Sequence, residues 1–160
     1  MVQTNNPVKI IALSAAGLLL LLSGVYIYLV DRSPGDLYLL SEYPVVHGEG
    51  RHFLAGFAYR LPVFLHIAGF SMLTRIFFPG SARADYLVPL SWGSLNILLE
   101  FGQLYHTDVL PAFSGSSYMW KETRVVVFQY FQDGVFDWLD ILSAALAVVL
   151  TWIIFKLIKL

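Results

Sequence analysis

Residues 138–158 read WLDILSAALAVVLTWIIFKLI, an apolar run whose only charges, Asp140 and Lys156, stand near its two ends. As a helix rising 1.5 Å per residue it reaches about 31 Å, the thickness of a bilayer's hydrocarbon core. Hydrocarbon in the middle and charge at the borders is the pattern of a membrane span. Three similar runs precede it. The run at 10–30 lies between Lys9 and Asp31-Arg32; Tyr26, Tyr28 and Leu29 stand where a cleaved signal peptide would end in small residues, so it reads as a retained anchor. The run at 61–78 follows Arg60, takes Pro62 in its first turn, where no intrahelical N–H partner is lost, and stops at Pro79-Gly80. The run at 86–105 has tyrosines at both ends, as helices anchored at two interfaces do.

Composition points the same way. Of 160 residues, 58% are hydrophobic and 13% charged, and the mean hydropathy is +0.68, too apolar for an ordinary soluble globule. Ten basic against eleven acidic residues give a net charge of -1, which excludes nucleic acid as a partner because a phosphate backbone demands a basic field. With no cysteine in the chain, disulfide frameworks, thiolate metal sites and cysteine nucleophiles are excluded. The expected fold is all-α: an integral membrane four-helix bundle, one domain over 1–160, with two longer outer connections.

Orientation follows the cations of the short segments. Lys9, Arg75, Arg83, Lys156 and Lys159 mark one side, which reads as cytoplasmic and places both termini inside. The connections 31–60 and 106–132 are then outer. The first is punctuated by Pro34-Gly35, Pro44 and the Gly48–Gly50 turn. In the second, the bulky run at 125–131 suits an interfacial segment or a short strand, with Tyr118 and Trp120 at headgroup level.

Ionisable groups inside the spans carry the functional argument, because a charge in hydrocarbon needs a partner, water or a proton. Asn96, Glu100, Gln103 and Thr107 are spaced by four, three and four and form one polar stripe on the third helix. Asp133, Asp137 and Asp140 recur at four and three on the fourth, on a face that continues as Ala144, Ala147 and Thr151, small residues that let a neighbouring helix approach. Helical rise puts Glu100 about 9 Å, Asp140 about 5 Å and His66 about 7 Å below the outer border, with Arg60 one and a half turns above His66. The ligand-binding candidates are therefore Arg60, His66, Asn96, Glu100, Gln103, Asp133, Asp137 and Asp140, around a polar cavity open to the outer face. The plainer alternative makes Asp133 a helix cap and lets Asp137 and Asp140 complement the helix dipole, each for about 0.3–1 kcal/mol. Arg75 reads as a snorkelling residue. The inner halves of the spans offer no matching polar row, which counts against a pump or channel.

The segments Leu65-His66-Ile-Ala-Gly-Phe70, Leu99-Glu100-Phe-Gly-Gln103 and Gly134-Val-Phe-Asp137-Trp-Leu-Asp140 occur in order on successive spans. In this pattern the chain resembles the VanZ-like family of small bacterial membrane proteins, some of which are associated with teicoplanin resistance. Where the family often continues the aspartate motif with Asn and Gly, this chain has Ser143, Ala144 and Ala147. The resemblance implies a bacterial cytoplasmic (inner) membrane, a place in the cell envelope, and membrane lipids with a lipid-linked or glycopeptide-like ligand as partners. Two other classes stay open. A membrane-embedded enzyme acting on an envelope lipid through carboxylates and His66 has no diagnostic catalytic motif behind it, and no cofactor or metal is expected. A structural subunit would use the same polar stripes and small-residue face to dock a membrane-protein partner.

Overall fold

The computed structural model describes residues 6–31, 60–108, 130–132 and 134–158. Among these the secondary structure is helical. Four helices appear in chain order: α1 (Pro7–Asp31), α2 (Leu61–Arg75), α3 (Ala84–Leu104) and α4 (Trp138–Ile158). Two of them, α1 over Pro7–Leu29 and α4, are long and apolar enough to cross a membrane. Asp133, Tyr118 and Trp120 lie outside the described residues, as does most of the two long connections. Residues 130–132 are helical, so the end of the 125–131 run is neither strand nor extended.

α2 is the hub, packing against each of the other three helices. Its α1 face is built on glycines. A Cβ at Gly69 would lie 2.9 Å from the carbonyl of Gly17, and one at Gly24 would lie 2.9 Å from His66 Nε2, so the two backbones approach as only bare Cα atoms allow. The pairs Gly17–Gly69 and Gly24–His66 run in opposite senses along the chain, which makes α1 and α2 antiparallel. Leu13, Met72 and Phe155 close one core cluster; Ile67, Ala144 and Ala147 form the other. The small-residue face of α4 does face a neighbour: Ala144, Ala147 and Thr151 are all buried. Across α3 and α4, a Cβ on Gly93 would fall 2.3 Å from a Val148 methyl.

This register defines two ends. At the basal end, Lys9 Nζ donates to the carbonyl of Ile158 at 2.7 Å, so the start of α1 and the finish of α4 meet. There the lysine satisfies one of the orphan carbonyls of a helix C-terminus and complements its dipole. The α2–α3 turn lies at the same end, with Gly80 at φ 73, a left-handed conformation that glycine adopts without steric cost. The apical end holds Arg60, the C-terminus of α3 and the N-terminus of α4.

The basal turn corrects the expected second span. α2 ends at Arg75 rather than at 78: beyond it the N–H groups of Phe77 and Phe78 turn to the carbonyls of Thr74 and Arg75, three residues back, in a tight turn. The Arg75 guanidinium, 1% exposed, pairs with Asp85 on α3 through Nε and Nη2, both 2.8 Å from Oδ1. It also donates to the carbonyl of Phe78, which fastens the turn. Arg75 therefore does not snorkel: a carboxylate one helix away supplies inside the fold what the headgroup layer would have supplied outside. Arg75 and Asp85 are thus buried polar side chains at the basal end.

Candidate functional site

At the apical end the polar stripe of α3 meets the start of α4. Asp137 is the N-cap: its Oδ1 accepts the backbone N–H of Leu139 at 2.8 Å, satisfying one of the free donors of the first turn. Its other oxygen, Oδ2, pairs with Arg60 Nη2 at 3.0 Å. Its backbone N–H points back to Glu100 Oε2, 3.4 Å away. One residue thus joins α2, α3 and α4, and the cap that could have been Asp133 is supplied by Asp137.

Depth separates the members of this group. Glu100 is 5% exposed and Gln103 8%, whereas the side chains of Arg60 and Asp137 keep 30% and 34% of their surface. A buried carboxylate therefore sits behind a half-open ion pair. Gln103 is held by a neighbour the sequence had not singled out: a Cβ on Gly134 would be 2.6 Å from the Gln103 amide and 2.5 Å from the carbonyl of Tyr130. Only a glycine lets the 134 backbone lie across that amide. Gly134 also donates its N–H to the Tyr130 carbonyl at 3.2 Å, closing the turn into α4. Below it Phe131 fills the space above Gly102, where a Cβ would come within 2.3 Å of the ring.

Tyr130 closes the cluster. Its phenol is pushed up from 10.0 to about 12, chiefly by burial and then by the charge of Glu100; a hydrogen bond with the Gln103 side chain pulls the other way, and Asp140 and Tyr28 add further upward pushes. Placed in an aromatic-rich connection, Tyr130 gave no sequence signal that set it apart from interface anchors. Phe101, Phe136 and Trp138 pack edge-on or tilted beside the group, with Phe136–Trp138 centroids 4.9 Å apart, and give it an apolar flank.

The structure thus brings Arg60, Glu100, Gln103 and Asp137 into one connected group, with Asp140 close enough for its charge to act on Tyr130. The His66 ring lies against Gly24 of α1 and 6.3 Å from that of Phe70. Asn96 lies lower on α3, its Oδ1 buried and without a hydrogen-bond partner among the described residues. His106 accepts a structural role at the end of α3, where its Nδ1 lies 3.0 Å from the carbonyl of Gln103. Among the described residues no three His, Asp or Glu side chains are grouped as a metal ion would need. No protein-family model matches the chain, and neither a curated protein nor a solved structure matches it.

Proposed function

We propose that the chain is a four-span protein of the bacterial cytoplasmic membrane, with both termini cytoplasmic, that binds a lipid-linked or glycopeptide-like envelope ligand at its apical polar group, in the manner suggested by its resemblance to the VanZ-like family. The observation that carries this reading is the Arg60–Asp137–Glu100 junction, in which a half-exposed guanidinium and carboxylate stand in front of a buried carboxylate. A guanidinium at that level can take a phosphate or carboxylate oxygen of a ligand, by forked charge-assisted hydrogen bonds. The carboxylates beside it accept from hydroxyl, amide or amine groups. A ligand anchored in the lipid and carrying both kinds of group would meet this end of the bundle from the headgroup layer. The apolar flank of Phe101, Phe136 and Trp138 suits a hydrocarbon chain or a sugar face.

The test is mass spectrometry of the protein purified in mild detergent, wild type beside Glu100→Gln, Asp137→Asn and Asp140→Asn. The reading expects a copurifying envelope lipid on the wild type that is lost from variants still folded by circular dichroism. A wild type carrying only bulk phospholipid, retained equally by all three variants, overturns it. Unfolding of all three would assign the group to holding the helices together instead. Because the chain has no native cysteine, single cysteines at Ser81 and Asn6 report the orientation directly: both should be shielded from an impermeant thiol reagent in intact cells.

A further inference from the structure

The most deeply buried side chains include two hydroxyls in the middle of the bundle, Ser71 on α2 and Thr151 on α4, 0% and 1% exposed. Neither hydroxyl oxygen has a hydrogen-bond partner among the described residues. This is not the habit of helical hydroxyls in the chain: Ser14 donates to the carbonyl of Ile10 at 2.9 Å and Ser91 to that of Leu87 at 2.8 Å, each four residues back. Ser71 and Thr151 make no such bond, nor do they bond each other.

Register puts the two at one level. Ile67 packs with Ala144 and Ala147, and Met72 packs with Phe155, so Ser71 and Thr151 fall between these two clusters on the seam of α2 and α4. α3 brings a third feature to the same level. Gly93 meets Val148; one turn basal of each come Pro89, also fully buried, and Thr151. Pro89 stands inside α3 and has no N–H to give the carbonyl of Asp85, four residues earlier on the same buried face. Two unpartnered hydroxyls and the buried Pro89 of α3 thus share one junction, a turn apical of the Arg75–Asp85 pair.

We infer that this junction of α2, α3 and α4 is an internal water-binding site. A buried hydroxyl without a partner costs the hydrogen bonds it gave up to water, and buried waters in proteins bind where two to four such groups converge. Ser71 and Thr151 each offer a donor and acceptor lone pairs, a set that one bridging water satisfies. The site is independent of whatever occupies the apical group. It lies one turn above the buried guanidinium, so the water also extends the solvation of the ion pair.

Water-edited solid-state NMR of the full chain in lipid bilayers tests this, with magnetisation passed from water to protein at short mixing times. The side-chain signals of Ser71 and Thr151 should receive it despite their burial, as the deeply buried Ala144 and Ala147 do not. Ser71→Ala should abolish transfer to Thr151, and Thr151→Val, which keeps the shape and removes the hydroxyl, should abolish transfer to Ser71. Ser91→Ala, whose hydroxyl serves its own helix, should leave both unchanged. No transfer to either residue in the wild type overturns the inference, as does transfer that survives both substitutions.

Discussion

Tyr130 is where the electrostatics of the apical end can be read on a single side chain. Its neutral phenol is favoured by burial and by the charges of Glu100 and Asp140, which raise it from 10.0 to about 12. In the unfolded chain the same phenol loses its proton near 10. The folded state therefore draws stability from the neutral phenol that is complete below pH 10, declines between 10 and 12 and is gone above. Spectrophotometric titration of tyrosinate should show one phenol titrating near 12 that is missing in Tyr130→Phe. The fall in unfolding temperature between pH 10 and 12 should be shallower in that variant. A Glu100→Gln variant should move the same phenol downwards, since it removes the second-largest cause and leaves burial in place.

At the scale of the elements, α2 and α3 are held by the buried Arg75–Asp85 pair, and here removing one partner differs from removing both. Asp85→Asn leaves a guanidinium in the interior without its counter-charge, a change that costs about 3–5 kcal/mol in comparable buried pairs. Replacing both, as Arg75→Met with Asp85→Leu, removes the desolvated charges together and should cost clearly less; reversible unfolding in mixed micelles measures the difference. A larger loss for the double variant than for Asp85→Asn alone would mean that the Arg75 bond to the Phe78 carbonyl, rather than the ion pair, fastens the turn. These helices also show what a sequence can and cannot disclose. α1 and α4 were legible almost to the residue, because hydrocarbon runs end where charges begin. The end of α2 was not: Phe77 and Phe78 prolong the apolar run, although the backbone there has already passed into a turn. Glu100 and Gln103 were legible from their spacing, which fixes a face. The approach of Gly24 to the His66 ring was not, since rise gives depth while the helix a face meets is decided by packing.

For the molecule as a whole, the contacts divide into a close, glycine-lined α1–α2 seam and the association of α2 with α3 and α4. Gly69→Val would set a branched side chain against the Gly17 carbonyl and the Leu21 side chain, 2.9 and 2.8 Å from the new Cβ. Overpacking of this kind costs about 1–3 kcal/mol and should push α1 away without separating the other three. In the cysteine-free background, oxidative cross-linking of a Leu13→Cys, Met72→Cys pair should fall, while that of an Ile67→Cys, Ala147→Cys pair persists. Loss of both would mean that α1 is required for the rest to assemble.

α2 is bracketed by guanidinium groups, Arg60 just before its first turn and Arg75 in its last, each gripping an acid on a different helix: Asp137 of α4 and Asp85 of α3. Fifteen residues of helix keep those two grips about 22 Å apart. A rod bolted at both ends cannot creep along its neighbours without undoing one bolt, and it cannot twist without straining the two together. The half-open Arg60 contact and the buried Arg75 contact are thus anchorages of one and the same short helix.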